Sequence, residues 1–297
     1  MKTLYYLTKR NTKLVFKDKG MLFTSLITPL ILLVLYATFL ANVYRDAFLQ
    51  SLPAGIVSDE AISALVGGQL VSSLLAVSAV TVAFCSNLLM VQDRANGVVK
   101  DIMISPVKSH IVSLSYYFST LIATTLICLL TVGLSFIYLA CIGFYLSVAD
   151  VFLLLLDVCL LVIFGTALAS VVNFFLTSQG QMSAVGSIVS SCYGFVCGAY
   201  MPISQLSEPI QRAIMFLPGT YATSLLRNHC MRGALSVMQN EGIPSEVIEI
   251  LKDGCDANIY FFGDKVEFSS MYIFLAASCA VLIGIFVLMN VLNKKSK

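Results

Sequence analysis

The sequence predicts an all-α integral membrane protein with six transmembrane helices, and three observations carry that prediction. Of its 297 residues, 58% are hydrophobic and only 11% charged, whereas about a quarter of the residues in soluble domains are charged. The apolar residues fall in blocks of about 20, the length a helix needs to cross a hydrocarbon core of about 30 Å. The blocks are uninterrupted rather than alternating, and in hydrocarbon every backbone polar group needs an internal partner, so they read as helices and not as barrel strands. The whole chain, 1–297, reads as one transmembrane domain with short appendages.

Residues 1–20 come first. Leu4, Leu7, Leu14 and Val15 lie among Lys9, Lys13 and Lys17 at four-residue spacing, the pattern of an interfacial helix in the headgroup plane. The spans follow at 21–43, 69–91, 113–138, 148–172, 183–200 and 271–291. The first is too long for a signal peptide and is not followed by a small-residue cleavage pattern, so it is expected to stay as an anchor.

Ser72, Ser73, Ser78, Thr81, Ser86 and Asn87 make the second span polar on one side, which is expected to face protein or a path. In the fourth span, Asp157 lies about 13 Å deep at 1.5 Å per residue. A carboxylate there needs a role or a partner. No Lys, Arg or His falls within the predicted spans, which leaves protonation or Ser, Thr and Tyr hydroxyls. In the fifth, Gly194 and Gly198 continue a small-residue row with Ser187 and Ser191 that permits close helix packing.

Orientation follows from basic residues, which stay on the cytoplasmic side near spans. Lys2, Lys9, Arg10, Lys13, Lys17, Lys19, Arg94, Lys100, Lys108, Lys294, Lys295 and Lys297 fall on one side; Asp59, Glu60, Glu241, Glu246, Glu249, Asp253, Asp256, Asp264 and Glu267 dominate the other. Both termini are therefore expected in the cytoplasm, with 92–108 a cytoplasmic loop and 201–270 an extracytoplasmic one. Cys230 and Cys255 both lie in 201–270, and whether they bridge is open from sequence alone.

Several activities are excluded. No Gly-x-x-x-x-Gly-Lys-Ser/Thr loop occurs, so the chain cannot hydrolyse ATP by itself. The two histidines, His110 and His229, lie outside the predicted spans without metal-ligand spacing, which argues against a metal site. A lone buried Asp provides no catalytic pair, so no catalytic residue is expected, and nothing in the charge pattern points to nucleic acid.

Two segments outside the spans carry a resemblance. The run 91–107, Val-Gln-Asp-Arg-Ala-Asn-Gly-Val-Val-Lys-Asp-Ile-Met-Ile-Ser-Pro-Val, resembles the coupling segment of type 2 ABC exporter permeases, whose usual form is acidic-Arg-Glu-x-Gly-Thr-Leu-Glu and then Ser-Pro. Asp93, Arg94, Gly97, Ser105 and Pro106 match it; Ala95, Val98 and Lys100 stand where that family tends to have Glu, Thr and Glu. The second segment is 200–228. Pro202 follows the fifth span, a short stretch containing Pro209 has Ile210, Ala213, Ile214 and Leu217 on one helical face, Pro218-Gly219 breaks it, and a second helix through Tyr221 runs to Leu226-Arg227. These landmarks resemble the family's re-entrant helix pair, which such permeases place between spans five and six at the exit of the path.

The resemblance implies two permease copies, a homodimer or a heterodimer, each bound to a separate ABC-type ATPase that holds ATP and Mg; no cofactor is expected on this chain. The coupling helix would present Val98, Ile102 and Met103 to an apolar groove on the ATPase, with Asp93, Arg94, Lys100 and Asp101 as a polar rim. The expected activity is outward export of a hydrophobic or amphiphilic compound from a bacterial plasma membrane. After Gly233 the family runs directly to its last span, whereas this chain inserts an acidic segment, 233–269, with a short helix expected at 245–251. The alternative is an ion-coupled secondary transporter with Asp157 as coupling site, which calls for an internal repeat that the spans do not show.

Overall fold

The computed structural model describes residues 2–51 and 57–292; Lys294, Lys295 and Lys297, used above for orientation, lie outside the described residues. The helix α1 (Lys2–Lys17) turns Leu7, Leu14, Val15 and Phe16 onto Leu89, Met90 and Val112. Next come α2 (Lys19–Leu35), a π turn (Tyr36–Leu40) and α3 (Ala41–Ser51), which together contain the apolar stretch Leu22–Leu49. They are followed by α4 (Asp59–Ala95), a short α5 (Val98–Ile104), α6 (Ser109–Ile142), α7 (Val148–Asn173) and α8 (Gln179–Val196). A single 3₁₀ turn (Ile203–Gln205) leads to α9 (Glu208–Ile214), α10 (Pro218–Asn240), α11 (Ser245–Gly254), a hairpin of β1 (Tyr260–Phe261) and β2 (Asp264–Lys265), and α12 (Phe268–Leu292).

Among the described residues, five helices are long and apolar enough to cross a membrane: Leu22–Leu49, α4, α6, α7 and α12. The predicted fifth span, 183–200, corresponds to α8, which opens on Gln179-Gly180-Gln181 and stops at Val196, and falls short of that measure. The second span is 37 residues long and begins at Asp59, not 69. Ser58 caps it by accepting the Ala61 N–H, and Asp59 and Glu60 sit where the helix dipole favours acids.

The bundle has an apolar core with polar side chains buried among it, and an exterior that is apolar as well. Phe23, Ile31 and Val34 on α2, Leu126 and Leu130 on α6, and Ile273, Val281 and Leu288 on α12 face outward, while Ser72, Ser73, Asn87, Thr120 and Ser170 are buried. An apolar exterior on this scale is the arrangement for which lipid is the solvent. α4 is the central post: its apolar window is 89% buried, against 12% for the first span and 22% for the last. The polar side of the second span therefore faces protein all round.

α10 is the element whose burial is least apparent from its composition. It carries Arg227, Asn228 and His229, yet lies buried against α4, α7 and α12. Close approach explains part of this: a Cβ on Gly233 would stand 2.0 Å from the Tyr145 carbonyl oxygen in the α6–α7 connection. Gly233→Ala is expected to destabilise the fold by about 1–3 kcal/mol, the range for overpacking. Thermal unfolding in detergent checks this, and an unchanged midpoint would contradict the contact.

The insertion is folded onto the bundle. Glu241 accepts from the Ser58 N–H at 3.1 Å and its hydroxyl at 2.6 Å, and the Ala257 carbonyl accepts from Ser224 and Asn228 of α10. The expected helix at 245–251 extends to Gly254. Cys230 and Cys255 are both free, buried thiols. Hydrogen bonds from Lys265 and Lys252 hold the Glu249 carboxyl down to about 2, from an ordinary 4.5. A depressed carboxylate contributes stability above its unfolded value and loses it as pH falls through the folded one. The contact between α11 and the hairpin is therefore expected to loosen between pH 4.5 and about 2, which hydrogen exchange at 245–265 would detect; exchange that is flat over that window would contradict it.

Candidate functional site

At the basic end, α1, α4, α5 and α6 meet around Asp93. Its Oδ2 accepts from Arg10 Nη1 at 2.8 Å and from the Tyr116 hydroxyl at 2.6 Å. Arg10 Nη1 also reaches Asn11 Oδ1 at 2.8 Å, and Asn11 Nδ2 donates to Ser115 Oγ at 3.1 Å. Burial works against the Arg10 charge, but the hydrogen bond and charge of Asp93 outweigh it and raise the guanidinium above its ordinary value. The next residue, Arg94, donates to the Phe174 carbonyl at 2.6 Å and sits over the Phe174 ring, 5.2 Å from its centroid. Asp93 and Arg94 therefore bind inward, to α1, α6 and the end of α7, and are not the outer polar rim expected of them.

Gly97 takes a left-handed φ of +81° at the start of α5, a conformation that favours glycine, and so reverses the chain after α4. α5 ends at Ser105, extended as the residue before Pro106 must be. Val99, Ile102 and Val107 pack back onto the cluster around Val15 and Leu89. Ile102 thus faces the bundle, and Val98 is half-buried. The outward face carries Lys100, Asp101, Met103, Ser105, Pro106 and above all Ile104, which is 86% exposed. Neither Ile104 nor the bracing pair Arg10 and Tyr116 carries a motif signal in the sequence.

Within the bundle, Asn87 Nδ2 donates to Thr120 Oγ1 at 3.1 Å and Ser170 Oγ at 3.2 Å, and Asn87 Oδ1 accepts from Asn173 at 3.0 Å. This ties α4, α6 and α7 together in a buried layer. Asn87→Ala is expected to lower stability by about 0.6 kcal/mol, the average for such bonds in membranes, and by no more than about 1.7 kcal/mol per bond. Unfolding in mixed micelles checks it, and no change would show the network to be dispensable.

Asp157 does have side-chain partners at hand. His229 Nδ1 lies 2.5 Å from one carboxylate oxygen, and the Tyr272 hydroxyl donates to the other at 2.6 Å. The carboxylate joins α7, α10 and α12. His229 escaped the sequence reading because its helix is too polar to count as a span and its partner stands 72 residues away.

At the opposite end, Leu217 precedes Pro218 in the first turn of α10, and the Tyr221 hydroxyl donates to the Met215 carbonyl at 2.6 Å, clamping α9 to α10. Pro209 lies in the first turn of α9, and Pro202 precedes the 3₁₀ turn. Arg227, expected at the end of a re-entrant helix, is fully buried: it donates to Asp256 at 3.3 Å and to the Gly198 carbonyl, while Asp256 also takes the Ile203 N–H at 2.8 Å. Burial raises the Asp256 carboxyl above its ordinary value, with the Arg227 charge acting against it. Gly194 and Gly198 do not form a helix-crossing row. α8 ends at Val196, Gly198 adopts a φ of +72°, and a Cβ on Gly194 would stand 2.3 Å from the Tyr200 ring. Both serve the chain reversal at 197–200.

Phe164, Leu168, Tyr193, Leu217, Phe274 and Leu282 line an apolar groove of about 530 Å³ between α7, α8, the head of α10 and α12.

No curated protein matches the chain. The family model for the ABC-2 type transporter matches residues 2–230, and it stops within α10, just before the insertion. Covering well over half of the sequence, and ending where the sequence departs from the exporter pattern, that match shows that the chain belongs to the ABC-2 type transporter family and is an ABC-type membrane permease component.

Proposed function

We propose that the chain is the permease subunit of an ATP-driven exporter, working as a pair of copies with a separate ATPase docked on each α5. The single observation that carries this reading is α5 itself. It presents Met103 and Ile104 outward on a short helix braced at its root by Arg10, Asp93 and Tyr116 and by Arg94 on Phe174. A push from a soluble partner reaches the bundle only through a lever that is stiff and anchored, and these contacts lead it into α1, α4 and α6 together. The interface comprises Met103, Ile104, Lys100, Asp101, Ser105 and Pro106, with Asp93, Arg94, Gly97, Val98 and Ile102 shaping the lever.

In this reading α8 is the fifth of six spans: at 18 residues it reaches about 27 Å, close to the hydrocarbon thickness. Both termini and α5 lie in the cytoplasm, and α9 with the head of α10 forms the re-entrant pair at the exit. The apolar groove beside Leu217 supports a hydrophobic or amphiphilic substrate. The plasma membrane of a bacterium is the expected setting, with ATP and Mg bound by the ATPase alone.

Ile104→Glu is the test. It is expected to abolish co-purification of the ATPase from native membranes while leaving the permease folded, as judged by gel filtration; undiminished co-purification would refute the docking assignment. The triad of Asp157, His229 and Tyr272 favours a second, proton-coupled reading, and the two are separable. If the triad is a structural clamp, Asp157→Asn lowers the thermal midpoint without moving the pH profile of export. A displaced or flattened pH profile would favour coupling through Asp157.

A further inference from the structure

The hairpin in the insertion is built against the usual preferences of its turn. Tyr260 pairs with Lys265 and Phe261 with Asp264, so Phe262-Gly263 is a two-residue loop, with φ of +50° at Phe262 and +102° at Gly263. Positive φ at both central residues defines a type I′ turn, for which Asn-Gly or Asp-Gly is preferred. Here the first position holds a phenylalanine, a bulky side chain in a backbone region that bulky residues avoid. It is also 67% exposed. Folding of the hairpin does not account for a phenylalanine there.

Phe262 is one of three neighbouring rings. The centroids of Phe261 and Phe262 lie 4.9 Å apart, and Phe216, just before the head of α10, sits 5.6 Å from the first and 6.3 Å from the second. All three are exposed, forming an apolar plate on a segment whose base is polar: Tyr260 donates to Asp253 at 2.9 Å and Lys265 pairs with Glu249 at 2.7 Å. The element thus has a wet root and an apolar tip.

We propose that this tip, Phe261, Phe262 and Phe216, dips into the lipid interface at the acidic end of the bundle. Continuity with the lipid-facing surface decides for lipid over a protein partner. Only Val266 and Glu267 separate β2 from α12, whose Ile273, Phe274 and Val281 face outward along a span. On the other flank Phe216 leads into Leu217, which lines the apolar groove with Phe274 and Val281. The plate therefore borders, on both flanks, the exposed apolar surface of α12 and the groove beside it. Apolar side chains on a polar root seat in the headgroup and acyl boundary in this way. The insertion is then anchored at three places, through Arg227 to α10, through Glu241 to α4 and through the plate to the bilayer. This inference requires only that α12 spans the membrane and is independent of ATP coupling.

The chain contains no tryptophan, so a single introduced one reports without background. Phe262→Trp in phosphatidylcholine nanodiscs is expected to emit at shorter wavelength than Glu246→Trp on the exposed face of α11. It is also expected to lose most of its emission when the acyl chains are brominated near the headgroup, as Ile273→Trp on α12 does. Quenching by iodide from water without quenching by bromolipid overturns the proposal, as does protection from both quenchers, which would indicate a second copy packed on the plate. Should the turn fail to fold with tryptophan at 262, Phe216→Trp reads the same surface under the same outcomes.

Discussion

Replacing Arg227 by Met is expected to destabilise the chain by about 3–5 kcal/mol, because breaking a buried ion pair leaves an uncompensated charge in the interior. The guanidinium is fully buried in α10, and its Asp256 partner stays behind with only the Ile203 N–H for company. Arg227→Lys is expected to fail nearly as badly, since one ammonium cannot reproduce the two planar contacts to Asp256 and the Gly198 carbonyl. Removing both partners, Arg227→Met with Asp256→Leu, is expected to recover much of the loss, since well-packed apolar pairs replace buried ion pairs at little cost. A double-mutant cycle on thermal or denaturant unfolding reads the coupling. Single variants within about 0.5 kcal/mol of the parent would mean the pair behaves as an exposed one, and the insertion would then have no firm attachment to α10.

The second large effect is expected at Asp93. Asp93→Ala leaves the Tyr116 hydroxyl and Arg10 without their shared acceptor, a loss of about 2–3 kcal/mol for charge-assisted bonds. Function is expected to fall further than stability. If α5 is the docking lever proposed above, loosening its root leaves the ATPase bound but moves α1, α4 and α6 less, so nucleotide hydrolysis is expected to continue while transport drops. Asp93→Asn, which keeps an acceptor for Tyr116, is expected to fall between the two. Transport and hydrolysis that decline in parallel would show that Asp93 serves folding alone.

Five of the six predicted spans were legible because their signal is additive: each of those blocks of leucine, valine and phenylalanine independently meets the length a bilayer demands. Where a membrane helix buries against protein instead of lipid, that signal fades. α4 runs ten residues earlier than hydropathy suggests, because Asp59, Glu60 and the buried Gly67 and Gly68 lower the apolar count at its head. α10 is the extreme case, with Thr220, Thr223, Ser224, Arg227 and Asn228 all buried and reading as a surface helix. The small and hydroxylated residues were the available clue, because they let backbones approach.

The site was legible in outline and not in orientation. Asp93, Arg94, Gly97 and Ser105-Pro106 located the short helix α5, but spacing along a chain does not say which face a short helix turns outward. That depends on Arg10, 83 residues from Asp93, and on Phe174, 80 residues from Arg94. The partners of Asp157 were hidden for the same reason, since they come together only when α7, α10 and α12 pack.

The most direct test of the account is a photo-crosslinking residue at position 104, activated in native membranes and followed by mass spectrometry of the adducts. Docking on α5 predicts peptides of an ABC ATPase attached at 104, together with their loss when the same probe stands at the inward-facing position 102. Adducts at 104 with lipid or with the permease's own chain, and none with an ATPase, would contradict it.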